Sequence, residues 1–178
     1  MFNDVLIFWF EELSPQQWWQ KDDTLDQNIA TKFTVLHQQA SQCELFHWRE
    51  SAKGRLAEII VLDQFSRNMY RDTPKAFAQD SLALALSQQA IQLHANKALT
   101  PIERSFLYMP FMHSESLLIH KQACQLYKNN GIDNNYQFEL QHFAIIEKFG
   151  RYPHRNNILN RQSSADEIEF LTQPNSSF

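Results

Sequence analysis

Thr100 to Gly150 reads TPIERSFLYMPFMHSESLLIHKQACQLYKNNGIDNNYQFELQHFAIIEKFG, and this stretch decides the fold. Thr100 and Glu103 form a capping box, with Pro101 at the first helical position, so a helix must start there. Pro110 should kink or end it, because proline removes a backbone donor and crowds the preceding turn. SESLLIHKQACQLYKNNG restarts the helix, and Gly131 stops it with a residue that tolerates a left-handed cap. YQFELQHFAIIEKFG is the next helix, closed by Gly150.

The same signals extend outward. Upstream, DSLALALSQQAIQL sets Leu82, Leu86, Ala90 and Leu93 on one helical stripe. A third helix is expected from near Ser51 to about Tyr70, with Leu56, Ile59 and Ile60 on its apolar face. A second opens at Asp22 or Asp23, and Asn3 is the expected cap of a first that runs to about Leu13. Downstream, Ser164 and Glu167 make another capping box, and the tail from about residue 173 should fray. The chain of 178 residues carries only 3 Gly and 6 Pro, too few for many tight turns, while its 14 Phe and 4 Trp supply a core. The expectation is an all-α single domain over 1–178. It would be an array of antiparallel helix pairs, seven or more helices, with no sheet and no fixed repeat.

Charge and composition exclude several classes. A net charge of -4 argues against nucleic acid. No stretch reaches the ~20 apolar residues of a membrane span, and Asp4 stands where a signal peptide needs a cation. Cys43 and Cys124 are isolated, which fits reduced thiols in the cytoplasm.

Chemistry should sit where polar groups interrupt apolar stripes. On the third helix the stripe continues through Asp63 and Arg67, four residues apart and able to pair, with Gln64 and Asn68 beside them. In MPFMHSESLL, Glu115 lies between apolar Met112 and Ile119, next to His113; Ser114 reads as a helix N-cap. His142 shares a face with Phe138, Ile145 and Phe149, the pattern of a core histidine. In EKFGRYPHRNNILNR, Arg151, Arg155 and Arg161 join His154 and Asn156 just past a helix end. Capping needs one such cation, not three. Asp63 and Glu115 are the acids expected to face these arginines. The histidines lack HxxxH or HxH spacing, so neither metal nor cofactor is expected.

LAEIIVLDQFSRNMYRDTPKAFAQD, FLYMPFMHSE and HFAIIEKFGRYPHRNNILNR, with the VLIFWF start and EIEFL close, resemble the bacterial DUF924 family over nearly the whole chain. The resemblance implies a TPR-like right-handed superhelix and no established activity. Ser66 stands where the family motif has proline, Tyr152 where it has phenylalanine, and Asn160 where glycine is common. Its motifs coincide with the three interrupted regions, which implies one shared polar site.

Three functions are open to such a chain. A small phosphate or carboxylate ligand would meet Asp63, Gln64, Arg67, Asn68, His142, Arg151, Arg155 and Asn156, with His113, Glu115 or His154 for acid–base work should there be turnover. A TPR-like module would grip an acidic peptide, anchored by exposed Trp9, Trp18, Trp19 and Trp48. Alternatively, the motif residues only lock the C-terminal loop onto the helices.

Overall fold

The computed structural model describes residues 1–174 and 176–177. Along them run α1 (Phe2–Ile7), α2 (Asp23–Ser41), α3 (Ala52–Ile60), α4 (Ser66–Met69), α5 (Asp80–Gln92), α6 (Pro101–Met112), α7 (Leu117–Asn130), α8 (Asp133–Phe149) and α9 (Ala165–Leu171). No strand occurs among the described residues, so the fold is all-α.

The caps are those the sequence dictates. Thr100 with Glu103 and Ser164 with Glu167 form complete capping boxes at the starts of α6 and α9. The Asp22 side chain accepts from the amides of Thr24 and Leu25, and Ser51 accepts from Gly54. Gly131 and Gly150 end α7 and α8 in the left-handed conformation, at φ 78° and 68°. Asn160 also lies there, at φ 54°, a region that asparagine tolerates better than most residues. Gly54 is obligatory for another reason: a Cβ would sit 2.1 Å from the Trp48 carbonyl oxygen. That close approach seats the 3-10 turn Phe46–Glu50 on the start of α3.

Several local expectations need correction. Met1, not Asn3, precedes α1, and no side chain caps that helix start. Ser116, not Ser114, is the N-cap residue of α7; Ser114 Oγ accepts from the Ser116 amide at 3.2 Å. The third helix spans the expected range but is not a plain α-helix. Between α3 and α4 it widens into a π-helical segment, Val61–Phe65. Nothing in apolar periodicity marks such an extra residue, and it rotates the downstream side chains by about 100°. The tail expected to fray includes Asn175 and Phe178, which lie outside the described residues; Ser176 donates to the Leu171 carbonyl at 3.2 Å.

α6, α7 and α8 pack in succession, side by side and antiparallel. The amide of Asn130, at the end of α7, donates to the carbonyl of Pro101, at the start of α6 (2.8 Å). His120, early in α7, meets Glu139 of α8. This succession is compatible with a TPR-like array. One large core gathers Phe8, Trp9, Leu56, Ile60, Phe65 and Phe106, and a smaller one gathers Ile145, Ile146 and Tyr152. The tryptophans are mostly spent on that core. Trp9 is 1% and Trp48 2% exposed, and Trp18 is partly buried, donating to the Trp9 carbonyl at 2.8 Å. Only Trp19, 58% exposed, fits the expected aromatic anchor, and even its ring stacks on Phe106.

Candidate functional site

Asp63 sits within the π-helical segment with 0% exposure. An unpaired carboxylate there would be costly, so its surroundings must answer it. Gln64 donates to Oδ2 at 2.6 Å, His113 donates from Nδ1 to Oδ1 at 2.8 Å, and Arg67 Nη1 lies 3.2 Å from Oδ1. Burial pushes the Asp63 pKa up, but the charge of Arg67 and the hydrogen bonds from His113 and Gln64 override it and hold it well below the usual range. With Asp63 ionised, the His113 proton belongs on Nδ1, and Nε2 is left as an acceptor. Burial, then the positive charge of Arg67, keep the His113 pKa below its ordinary value despite Asp63.

One turn on, Arg67 reaches Asp80, the first residue of α5, through two parallel bonds of 3.0 and 3.1 Å. Burial opposes its charge, yet Asp63 and Asp80 hold its pKa above the ordinary value. Arg155, from the turn Pro153–Arg155, reaches the same Asp80 carboxylate with a single longer bond of 3.3 Å. Its guanidinium lies 4.6 Å from the ring centres of both Phe77 and Tyr152. The side chain is 7% exposed, and its buried Nε has no hydrogen-bond partner among the described residues. Burial and the neighbouring Arg67 both depress its pKa.

Glu115, Arg151, Asn156 and Arg161 form a separate set. Arg161 clamps Glu115 at 2.6 and 2.9 Å and donates to Asn156 Oδ1 at 2.9 Å. Glu115 also accepts from the Tyr152 amide at 2.8 Å. Burial would raise its pKa, but Arg161 and that amide bring it below the ordinary value. Arg151 pairs with Glu167 at 2.7 and 2.8 Å, and this hydrogen-bonded pair pulls the Glu167 pKa down to about 2. The expected facing of Arg151 and Arg155 by Asp63 and Glu115 is therefore wrong. Glu167 and Asp80 take those places, and Glu115 serves Arg161. Glu167 doubles as the capping-box acid of α9, a local role that hides its long-range one.

The remaining candidates separate from the centre. Asn68 turns to α2, where it shares Asp26 with Arg71. His142 bonds the Phe138 carbonyl through Nδ1 at 2.7 Å, and burial drives its pKa down to about 3. His154 lies against the Tyr152 ring, and burial followed by Arg155 lowers its pKa to about 4. The structure thus groups Asp63, Gln64, Arg67, His113 and Arg155 around Asp80, with His154 beside them. Sequence reasoning misses Asp80, although it closes the motif stretch ending KAFAQD; as the first residue of a helix it looks like a cap. It also misses the pair of His120 and Glu139, both 0% exposed and 2.8 Å apart. Among the described residues no three His, Cys, Asp or Glu side chains converge in a way that could hold a metal ion. None of the described helices is long and apolar enough to cross a membrane.

The fold has a close structural counterpart. A protein of unknown function from Agrobacterium tumefaciens, ATU0120, superposes with a TM-score of 0.91 at 34% identity, covering 96% of each chain. No curated protein matches the chain. The family model described as bacterial protein of unknown function (DUF924) matches residues 5–175, and the chain belongs to that family.

Proposed function

We propose that the Asp63–Arg67–His113–Arg155 cluster recognises a small oxyanion, a carboxylate or phosphate group, with Asp63-oriented His113 as the proton acceptor. One observation carries this reading: Arg155 is under-satisfied. It is buried, its Nε is unbonded among the described residues, and its single 3.3 Å bond goes to a carboxylate that Arg67 already grips with two shorter ones. A buried guanidinium usually has a fuller complement, so a ligand oxyanion would complete it. His113, 15% exposed and neutral, adds an acceptor at the edge. The free cysteines Cys43 and Cys124 suit a cytoplasmic setting.

Calorimetric titration with phosphate, acetate and citrate, against glycerol as a neutral control, tests this. Saturable binding of an anion that Arg155→Gln abolishes is the expected result. An Arg155→Gln protein that folds and binds as the parent does would sink the reading.

A structural lock is the second reading, supported by the other set of bonds. Arg161–Glu115 and Arg151–Glu167 close the C-terminal loop on itself and onto the residues after α6. We assign the lock to those pairs and recognition to the cluster around Asp80. A peptide-binding module has less support, because Trp9 and Trp48 belong to the core.

A further inference from the structure

A cavity of about 330 Å³ opens between the turn Ala95–Ala98, α6 and the end of α7. Lys97 and Arg104 line it, and no acidic side chain does. Neither cation has a carboxylate within 4.0 Å among the described residues. Arg104 is nevertheless held rigidly. Its Nε donates to Asn130 Oδ1 at 2.7 Å and its Nη1 to the Leu99 carbonyl at 2.9 Å, which leaves Nη2 without a partner among the described residues. A preorganised guanidinium fork with one arm unengaged suits an oxyanion, since little side-chain freedom is lost on binding.

Two further lining groups can donate. The Tyr108 hydroxyl accepts from the Asn96 amide at 3.1 Å, so its own proton is available. Asn129 accepts from Gln125 through Oδ1, which leaves its amide protons for the cavity.

We propose that this cavity is a second binding site, for a small oxyanion. It is independent of the cluster at Asp80. The volume is at the low end for metabolite sites, which limits the ligand to a few carbons.

Glycerol 3-phosphate and glycerate are the probes, with glycerol as the neutral control, in an amide-resolved NMR titration of the full chain. Saturable shifts at Asn96, Lys97, Arg104 and Asn129 with either anion, and none with glycerol, are expected. The tighter of the two identifies the acid group. Lys97→Gln should weaken binding about fivefold, the worth of one partly exposed ion pair, without lowering the melting temperature. Arg104→Gln should abolish it; should that variant fail to fold, Lys97→Gln still decides. The proposal is overturned by unchanged affinity in Lys97→Gln, by equal shifts with glycerol, or by shifts confined to residues 63–67 and 152–156. That last pattern would instead support the site at Asp80.

Discussion

His113 Nδ1 lies 2.8 Å from Asp63 Oδ1, and this bond joins the end of α6 to the π-helical segment across 50 positions of sequence. Its two ends are unequal. Asp63 is a fully buried charge answered by Arg67, His113 and Gln64, whereas His113 is a neutral ring at the edge of the cluster. Removing the charge and removing the ring should therefore differ in cost.

Asp63→Asn should destabilise the protein by about 3 kcal/mol, the lower end for breaking a buried pair, because Arg67 keeps Asp80. His113→Gln should cost about 1–2 kcal/mol, since Asp63 retains its other partners. Urea denaturation followed by circular dichroism gives both values. The order is the sharp part: a larger loss in His113→Gln would mean that the imidazole, not the carboxylate, anchors the cluster.

Stability should fall as pH drops from 7 to 5. His113, His142 and His154 all have folded pKa values below the ordinary 6.5, about 3 for His142 and about 4 for His154. Below 6.5 the unfolded chain binds protons that the folded chain refuses, so folding loses up to about 1.4 kcal/mol per pH unit for each of His142 and His154, and His113 acts in the same direction. Glu139 works in the opposite direction, because burial raises its folded pKa despite the His120 bond. Denaturation midpoints at several pH values measure the slope. Replacing His142 with Asn should reduce it by close to one proton; an unchanged slope would show that His142 takes up its proton in the folded state.

Helix ends are legible in the sequence because their signals are local. Thr100, Ser164, Gly131 and Gly150 each announce a cap within four residues. The π-helical segment is not, since it changes no residue type, only the hydrogen-bond register. The partners of the site arginines are hidden for a different reason. Asp80 and Glu167 both sit in the first turn of a helix, where an acid has a sufficient local use. The resemblance of the motifs groups Asp63, His113 and Arg155 correctly in one region, but it equally implies Asn68, which serves Asp26 instead.

The loop after α8 is held by a latch that can be opened selectively. Arg161 bonds Glu115, Asn156 and the Tyr152 carbonyl, so Arg161→Ala removes several contacts together. Limited trypsinolysis should then cut between residues 151 and 162 much faster than in the parent, while α2 to α6 stay protected. Arg151→Ala, which frees only Glu167 and the Gln162 carbonyl, should accelerate cleavage less. Equal protection of parent and Arg161→Ala would show that burial of Tyr152, rather than the ion pair, fixes the loop.

Ser66 offers the last test, at the position where the family motif carries proline. Its hydroxyl donates to the Leu62 carbonyl at 2.6 Å and accepts from His37 Nε2 at 2.7 Å, with Ser66 fully buried. It directly follows the π-helical segment, whose wider turn relieves the crowding between a proline ring and the carbonyl before it. Ser66→Pro should therefore cost no more than Ser66→Ala. Both leave the buried His37 donor without its acceptor, a loss of about 1–3 kcal/mol. Proline in an ordinary helix interior would add about 3 kcal/mol to that. Paired urea denaturations of the two variants separate the cases: matching midpoints support a π-segment built to take proline, and a further drop of that size in Ser66→Pro rules it out.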